Sequence, residues 1–382
     1  MNQIFILGFV SFFVDISSEM IYPVIPVFLT TIIGANTAVL GLIEGIAESA
    51  ASLLKVFSGY ISDRIGKRKI LALFGYGFSW PCKLFFVFAN SWQYVFAGRF
   101  LDRIGKGIRT APRDALIADY SDREKRGLAY GIHRAMDTFG ALTGVLVVIF
   151  IITKTTNHNY GAAFYRNIFL ISMIPALIGW LLLFAVKDRP ATISKGQKFE
   201  MSFKKLPKKL KMFLIFTFIF ALGNSSNQFL LLRIQRETGS LLTVMLAYMV
   251  FNLVYAVMSI PFGKISDIVG QKIVLIVGYL IYGIVYWLFA LKGGAHFYIF
   301  CLGLYGLYSA LTEGVEKSLV SQLAPENTRA SMLGLHSTLA GIGLLPASII
   351  TGFLWQTFNP SVAFGFAGTL GIIAATGLLF IL

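Results

Sequence analysis

Long runs of apolar residues alternate with short polar connections along the whole chain. Each run is about 20 residues long, the length of α-helix that crosses the hydrocarbon core of a bilayer. The pattern therefore predicts twelve membrane-spanning helices. They occupy residues 4–30, 38–58, 70–89, 93–116, 127–152, 167–186, 212–232, 242–262, 273–291, 296–318, 330–354 and 361–382.

Composition favours a membrane protein over a soluble one. Hydrophobic residues make up 56% of the 382 residues and charged residues 13%, and the mean hydropathy is +0.74. A soluble domain of this size would lack the polar residues to cover such an interior. The first run carries Asp15 and Glu19 and follows no basic residue, so we expect a retained helix rather than a cleaved signal peptide. Cys82 and Cys301 lie in apolar runs, so no disulfide framework is predicted.

The chain contains an internal repeat. The segment from Gly59 to Lys69 (GYISDRIGKRK) returns 204 positions later, from Gly263 to Lys272 (GKISDIVGQK), and each copy lies between two apolar runs. Two further matches keep nearly the same spacing: Gly131-Ile-His133 with Gly334-Leu-His336 at 203 positions, and Ser17-Ser18-Glu19 with Ser225-Ser226-Asn227 at 208. Six spans have therefore been duplicated, and an even number of spans gives both halves the same orientation.

The repeat predicts the fold class and the domain bounds. We expect an all-α membrane protein of two pseudo-symmetric six-helix bundles, related by an axis along the membrane normal. The predicted domains are an N-terminal bundle (1–186), a cytoplasmic linker (187–211) and a C-terminal bundle (212–382). The linker is either a solvated tether or a helix on the membrane surface.

The net charge of +15 arises from alternate loops. Basic residues concentrate between spans two and three, between spans four and five, and in the linker, whereas the intervening loops hold few. For a multi-pass protein of the plasma (inner) membrane, the positive-inside rule then places both termini in the cytoplasm. This distribution explains the basicity without nucleic acid, which we do not expect as a partner.

Ionisable residues recur inside the predicted spans, mostly in the N-terminal half. Helical spacing places them on single faces, and a polar face in a bilayer must meet protein or water. Burying such charges is costly and typically marks a functional site. The candidates for proton coupling are Asp15, Glu19, Glu48 and Asp137, and those for solute binding are Arg103, Asp102, Arg134, Asn224, Asn227 and Asn252. The alternative is a set of structural ion pairs, such as Asp102 with Lys106 or Arg134 with Asp137.

The repeated hairpin suggests a second role. Its glycines permit a tight turn, and its Asp suits the positive end of a helix, so the hairpin can stabilise one conformational state. The alternative is a basic turn without a gating role. The gating candidates are Gly59, Asp63, Arg64, Gly66, Arg68, Arg99, Arg109, Arg113, Gly263, Asp267, Gly270, Glu313 and Glu316. Arg109 or Arg113 is a candidate partner of Asp63, and Glu313 and Glu316 are candidates for ion pairs.

The hairpin Gly59-x-x-x-Asp63-Arg64-x-Gly66-Lys67-Arg68-Lys69 resembles the signature of the major facilitator superfamily. Gly98-Arg99 through Gly107 resembles the motif of that family's fourth span. Gly140-Ala-Leu-Thr-Gly144 resembles its antiporter motif only in part, because the expected Pro is missing. The resemblance implies two bundles around a central cavity that work by alternating access. It also implies that Asp63 meets the start of span eleven, near Ala330, and that Asp267 meets the start of span five, near Gly127.

We expect a secondary transporter that exports a small polar or charged organic solute, coupled to protons. The alternatives are a proton-coupled importer, a metal-ion transporter that uses Asp15, Glu19, Glu48 and the histidines, and a membrane sensor without flux. No sequence signature of a hydrolase, metalloprotease or nucleotide-binding loop is present, so we expect neither an enzyme nor a cofactor. His133 and His336 each stand alone on a span, so no metal site is predicted. The expected partners are the solute, protons and the lipid bilayer, and the protein is expected to be a monomer.

Overall fold

The computed structural model describes residues 2–121, 126–155, 160–187, 206–324 and 329–381. These residues form α-helical segments joined by short connections, with a π-helical turn at Phe28–Ile32 and a 3-10 turn at Leu183–Ala185. The helices are α1 (Asn2–Ile21), α2 (Ile25–Val27), α3 (Thr37–Ile65), α4 (Arg68–Gly77), α5 (Lys83–Val87), α6 (Trp92–Tyr120), α7 (Arg126–Lys154), α8 (Ala162–Leu182), α9 (Lys208–Gly223), α10 (Gln228–Thr238), α11 (Leu241–Val269), α12 (Gln271–Ala290), α13 (Ala295–Leu323), α14 (Arg329–Thr357) and α15 (Pro360–Ile381).

Each apolar run from which a span was predicted is mostly helical, with breaks at residues 78–82 and 224–227. Ten helical stretches are long and apolar enough to cross a membrane, within the described residues. The runs at 70–89 and 93–116 are not among these ten. The first is divided between α4 and α5, and the second belongs to α6, whose charged residues lower its hydropathy. The number of twelve spans therefore stays a prediction.

The duplication is visible in the helix bounds. Helices α3 and α11 each have 29 residues and are offset by 204 positions at both ends. Helices α6 and α13, and likewise α7 and α14, have 29 residues each and are offset by 203. The repeat therefore extends from the motifs to the length of whole elements.

Two compact units are present. Unit 1 comprises residues 1–35 and 46–197, and unit 2 comprises residues 36–45 and 198–382. The first turns of α3 thus pack with the C-terminal half, whereas the predicted domains assign them to the N-terminal bundle. The predicted domain bounds themselves stay a prediction.

Unit 1 is built around one face of α1. Ile4, Leu7, Val10 and Val14 recur every three or four residues, so they share a face, and they belong to one buried cluster with Tyr76 of α4 and Leu116 of α6. On another face, glycines of α7 bring the two backbones together. A Cβ at Gly140 or Gly144 would lie 2.4 Å from a carbonyl oxygen of α1. Small residues that allow such close packing stabilise helix pairs in lipid, where the hydrophobic effect gives little.

In unit 2, glycines likewise bring the backbones of α3 and α14 close together. A Cβ at Gly41 would lie 2.2 Å from the Ser348 carbonyl oxygen, and one at Gly352 would lie 2.5 Å from that of Thr37. The hydroxyl of Thr37 also donates to the Gly352 carbonyl oxygen (3.3 Å) and to Gln356 Oε1 (3.2 Å). These contacts explain why residues 36–45 belong to unit 2.

Candidate functional site

A buried ionic group lies in unit 1, where α3 faces α6. Arg99 and Arg103 come one helical turn apart on α6, and both contact the same oxygen of Glu48. Arg99 Nη2 donates to Glu48 Oε1 over 3.2 Å, and Arg103 Nε lies 2.9 Å from that atom. The two arginines are only 3% and 7% exposed. The sequence spacing brought these residues to one face, as predicted, and the structure supplies their partner.

Tyr22 and Asp102 complete this group. The Tyr22 ring follows α1 and faces both guanidinium groups, with its centroid 5.1 Å from Arg99 Cζ and 5.9 Å from Arg103 Cζ. Such cation–π contacts stabilise a cation away from water. Asp102 Oδ2 lies 3.9 Å from Arg99 Nη1. Below, "the arginine group" means Glu48, Arg99, Asp102, Arg103 and Tyr22.

Lys106 links the arginine group to a second set of carboxylates. It interacts electrostatically with Glu48 on one side and with Asp15 on the other. Asp15 in turn interacts with Asp137 and Glu19, which carry like charge. The Lys106 side chain is exposed, although it lies in the middle of α6. A cation at that depth must meet water rather than lipid, so the charged region opens to water.

His133 connects α7 to α1 and α4. Its Nε2 lies 2.8 Å from Ser11 Oγ, and its Nδ1 lies 3.6 Å from Asp137 Oδ2, one turn further along α7. Ser11 Oγ is also 3.3 Å from the Tyr76 hydroxyl and accepts from Arg113 Nη1 over 3.5 Å. The sequence predicted only that no metal site lies here. The structure places His133 in a hydrogen bond with Ser11 and beside Asp137, a proton-coupling candidate.

Lys83 is a buried cation that the sequence reading did not select. It lies on α5, is 2% exposed, and its Nζ makes no hydrogen bond within the described residues. It interacts electrostatically with Asp102 and Arg109. Arg109 donates to Ser79 Oγ and stands 4.7 Å above the Tyr76 ring. The sequence did contain a signal for Lys83, because it is a lysine inside an apolar run. A charge within a membrane-spanning segment is costly and typically marks a functional residue.

The polar residues of unit 2 lie at a break in a helix. Residues 224–227 separate α9 from α10, and their side chains contact tyrosines of α13. Asn224 Nδ2 donates to the Tyr308 hydroxyl (3.4 Å), and the Tyr305 hydroxyl donates to Asn227 Oδ1 (2.7 Å). Interrupted helices in membrane proteins leave backbone groups available for ligands, and they commonly mark a binding site.

The break is held by a buried carboxylate and surrounded by aromatic rings. Ser226 Oγ donates to Glu44 Oε2 over 3.0 Å, and the Tyr282 hydroxyl donates to the Gly223 carbonyl oxygen over 2.8 Å. The composition did not reveal this tyrosine cluster, although its members recur at helical spacing. The cluster consists of Tyr279, Tyr282, Tyr286, Tyr305 and Tyr308, with Phe220 stacked on Tyr279.

Two candidate solute ligands lie apart from these groups. Arg134 is exposed on α7, and Asn252 Nδ2 donates to the Tyr248 carbonyl oxygen one turn back along α11 (3.1 Å). The structural alternative paired Asp102 with Lys106 and Arg134 with Asp137, and the structure shows different neighbours for both carboxylates. Asp137 lies beside His133, and Asp102 lies beside Arg99.

Glu313 and Glu316 contact tyrosines rather than Lys or Arg in the described residues. The Tyr255 hydroxyl donates to Glu313, and the Tyr279 hydroxyl donates to Glu316 Oε1 over 2.8 Å. Glu316 Oε2 lies 3.3 Å from His336 Nε2. Glu316 therefore has His336 within ion-pair distance, and the gating role predicted for Glu313 and Glu316 stays a prediction.

The repeated hairpin has the predicted turn geometry. Gly66 and Gly270 have φ of 69° and 91°, in the region that favours glycine. A Cβ at Gly59 would lie 3.3 Å from the Ala111 side chain, whereas Gly263 has open space around it.

Charged residues of the hairpin have different surroundings. Arg64 and Asp267 are exposed. Arg68 pairs with Asp119 and donates to the Ala115 carbonyl oxygen over 3.0 Å, which ties the hairpin to the end of α6. The side chains of Asp63 and Ala330 and the surroundings of Gly127 lie outside the described part of the structure, and so do the contacts predicted for Asp63 and Asp267. Arg113 pairs with Asp114 (2.8 Å).

No group of three or more His, Cys, Asp or Glu side chains in the described residues is arranged to hold a metal ion. His133 and His336 also lie in separate units. The arrangement in unit 1 is suited to hold an anion on guanidinium groups and to exchange protons among carboxylates.

Comparisons with known proteins agree on one family. The chain matches the family described as Major Facilitator Superfamily over residues 7–216 and again over 212–382. It is 39% identical over 387 residues to the uncharacterised MFS-type transporter MJ1317 of Methanocaldococcus jannaschii, covering 100% of this chain and 95% of that protein. A shorter match, 24% identical over 143 residues, joins 37% of this chain to 36% of the quinolone resistance protein NorA of Staphylococcus aureus.

Solved transporter structures share the fold. A mutant form of the nucleoside transporter NupG superposes with a TM-score of 0.82 at 13% identity and covers 100% of both chains. A POT family transporter in complex with 5-aminolevulinic acid superposes with a TM-score of 0.80 at 13% identity, covering 99% of this chain and 96% of that one.

Proposed function

The chain belongs to the major facilitator superfamily, and we propose that it is a proton-coupled secondary transporter that exports a small polar or charged organic solute by alternating access. Family and fold confirm the resemblance drawn from the hairpin motif. They indicate a multi-pass membrane transporter rather than an enzyme. The solute, the proton coupling, the direction and the plasma (inner) membrane with both termini in the cytoplasm belong to the proposal.

The arginine group is the observation that carries the proposal. Removing charges from water costs several kcal/mol per ion, and replacing a buried ion pair by apolar residues is often neutral or stabilising. Stability alone is therefore a weak reason to keep two arginines and two carboxylates inside a membrane protein. In a transporter these charges have a use, because they bind a solute that has lost its hydration shell.

Arg103 and Arg99 support a solute with an anionic part. A guanidinium group offers parallel N–H donors that match carboxylate or phosphate oxygens. Glu48 Oε1 occupies both arginines in this structure, so it acts as an internal counter-ion. In unit 2, the amides of Asn224 and Asn227 suit hydrogen bonds to neutral polar groups of a solute.

The carboxylates around Asp15 support proton coupling. Asp15 interacts with Asp137 and Glu19, and three like charges in a confined space repel one another. A proton bound to one of them relieves that repulsion, and Lys106 connects the change to Glu48. Proton binding and solute binding are then linked through one row of α6 side chains. The likeness to the quinolone resistance protein NorA supports export over uptake.

The experiment uses full-length protein in proteoliposomes and a panel of radiolabelled organic acids, amino acids and drugs. We expect Asp15→Asn to lose at least 10-fold of pH-gradient-driven flux while solute counterflow stays near that of the wild type, because the amide cannot carry the proton. Asp114→Asn is the control, since Asp114 is 38% exposed and pairs with its neighbour Arg113. Full gradient-driven flux in Asp15→Asn would exclude its coupling role.

A further inference from the structure

The break between α9 and α10 contains more hydrogen-bond acceptors than donors. At the start of α10, the Gln228 amide donates to Ser226 Oγ (3.4 Å) and the Phe229 amide donates to the Ser226 carbonyl oxygen (3.1 Å). At the end of α9, the carbonyl oxygens of Asn224 and Ser225 accept no hydrogen bond from the described residues. The α9 side of the break is therefore left with unsatisfied acceptors.

Two hydroxyl groups beside the break also make no hydrogen bond with the part of the chain that the structure describes. They are Ser225 Oγ and the Tyr286 hydroxyl. The two groups are neighbours, but their oxygens do not meet the geometry of a hydrogen bond. Ser225 is 2% exposed and Tyr286 is 0% exposed, so bulk water does not reach them. Buried polar atoms are normally satisfied, and an exception calls for an explanation such as a bound water or ion.

The surroundings of the break favour a cation over a neutral water molecule. The carbonyl end of a helix carries partial negative charge, and α9 ends at Gly223, directly before the break. Glu44 adds a carboxylate, which is 0% exposed and whose Oε2 lies 3.0 Å from Ser226 Oγ. Carbonyl, hydroxyl and carboxylate oxygens are the ligands that hard cations prefer. The break thus offers a hard cation several neutral oxygens and one nearby acid.

One carboxylate among neutral oxygens suits a monovalent ion. Calcium sites such as EF-hands gather several carboxylates. In the described ranges, no three His, Cys, Asp or Glu side chains are grouped so that they could hold a metal ion. Unwound backbone carbonyls and the C-terminal ends of interrupted helices do coordinate sodium in transporters of other folds. Sodium is therefore the cation that fits this set of oxygens.

The repeat indicates that the break is specific to unit 2. At the offset of 208 positions that relates the two Ser-Ser pairs, residues 224–227 correspond to residues 16–19. Residues 16–19 lie inside α1, which is continuous from Asn2 to Ile21. The duplicated scaffold therefore does not require a break at this position. Unit 2 combines the break with amide side chains at 224 and 227, where unit 1 has Ile16 and Glu19.

We propose that the break between α9 and α10 binds one sodium ion. The ion is held by the carbonyl oxygens of Asn224 and Ser225 and by the Ser225 hydroxyl, and the Glu44 carboxylate balances its charge. Bound sodium holds the two ends of the break together, and with them Asn224 and Asn227, two candidates for solute binding. Its effect on the solute rests on the function proposed above, whereas the sodium site itself does not depend on proton coupling.

The test measures thermal unfolding of the full-length protein in detergent while sodium chloride replaces choline chloride at constant ionic strength. We expect the melting temperature to rise saturably with sodium, by ~3 °C at ten times the dissociation constant, and not to rise with potassium. Binding of radioactive sodium to the same protein should saturate at one ion per chain. The absence of a saturable sodium effect, or an equal effect of potassium, would overturn the proposal, because bound water would then explain the unsatisfied oxygens.

Two variants test where the ion binds. Ser225→Ala removes a proposed ligand and Glu44→Gln removes the negative charge, so each should weaken sodium binding by about 10-fold or more. Ser266→Ala is the control for the first, because Ser266 is a buried serine of unit 2 whose hydroxyl donates to a carbonyl oxygen of its own helix (2.7 Å). Glu237→Gln is the control for the second, because Glu237 already forms an ion pair in unit 2.

Each of the two variants decides by itself, so misfolding of one leaves the other as a test. Wild-type sodium affinity in either folded variant would overturn the assignment of the ion to this break. Loss of sodium binding with unchanged proton-driven flux would leave the proposed function intact, and the reverse result would leave the sodium site intact.

Discussion

Three acidic residues of this protein differ in the groups that they contact. Glu48 satisfies two arginines in unit 1, Glu44 accepts from a serine at the break between α9 and α10, and Glu316 shares a histidine and a tyrosine. The three acids thus have a cationic, a neutral and a titratable partner. Under the proposed function, Glu48 is the counter-ion of the arginines that bind the solute, and Glu44 stabilises the break between α9 and α10.

Glu48→Gln tests whether the arginine group is a buried ionic unit. We expect a loss of ~3 kcal/mol in the free energy of unfolding, because the change leaves Arg99 and Arg103 buried without their counter-ion. Thermal or chemical unfolding of purified protein in one detergent measures it. Asp114→Asn, which removes a carboxylate that is 38% exposed from its pair with Arg113, should change the same quantity by less than ~1 kcal/mol. Equal effects of the two substitutions would show that the arginine group is solvated.

Sequence spacing predicted which charged side chains share a helix face. It did not predict their contacts with residues of other helices. Recurrence every three or four residues placed Arg99, Asp102 and Arg103 on one face of α6, which is a property of one helix. Their contact with Glu48 joins two helices that are distant in sequence, so no local pattern contains it. Lys83 was missed because a single charge has no periodicity, and Arg109 was assigned to the hairpin although it contacts Ser79 and Tyr76.

Helices and their connections were the best-predicted elements. Every predicted run is mostly helical, and the hairpin turns fall at Gly66 and Gly270, as the repeated motif indicated. The predicted spans run across the breaks after α4 and between α9 and α10, because each break is short compared with an apolar run of about 20 residues. At the second break, the sequence Asn224-Ser225-Ser226-Asn227 was the available signal, since these residues bond to nearby backbone and favour caps and turns over helix interiors.

Gly66→Ala tests the backbone requirement of the hairpin. A residue with a Cβ at φ of 69° is disfavoured by ~1–2 kcal/mol, so we expect that loss of stability and reduced flux. Gly263→Ala is the control, because this helical glycine has open space around it and alanine favours a helix. The two variants are compared by unfolding in the same detergent. Equal stability in both would show that the turn does not require a left-handed residue.

At the scale of the whole molecule, duplication followed by divergence explains the division of roles. The two halves keep helix length and register, as in the pairs α6 with α13 and α7 with α14. They differ in chemistry, since unit 1 concentrates ionic groups and unit 2 concentrates tyrosines, amides and one His–Glu pair. Duplication explains the shared scaffold, and substitution of the buried side chains explains the difference in charge between the halves.

The buried charges are proposed to couple solute movement to proton movement, and the role proposed for Asp15 depends on that coupling. The most direct measurement is the internal pH of proteoliposomes when a transported solute from the panel is added outside, with no imposed pH gradient. Export by exchange for protons predicts that solute entry releases protons from the vesicles, so the interior becomes more alkaline in wild type and not in Asp15→Asn. Solute accumulation without any change of internal pH in the wild type would contradict the coupling.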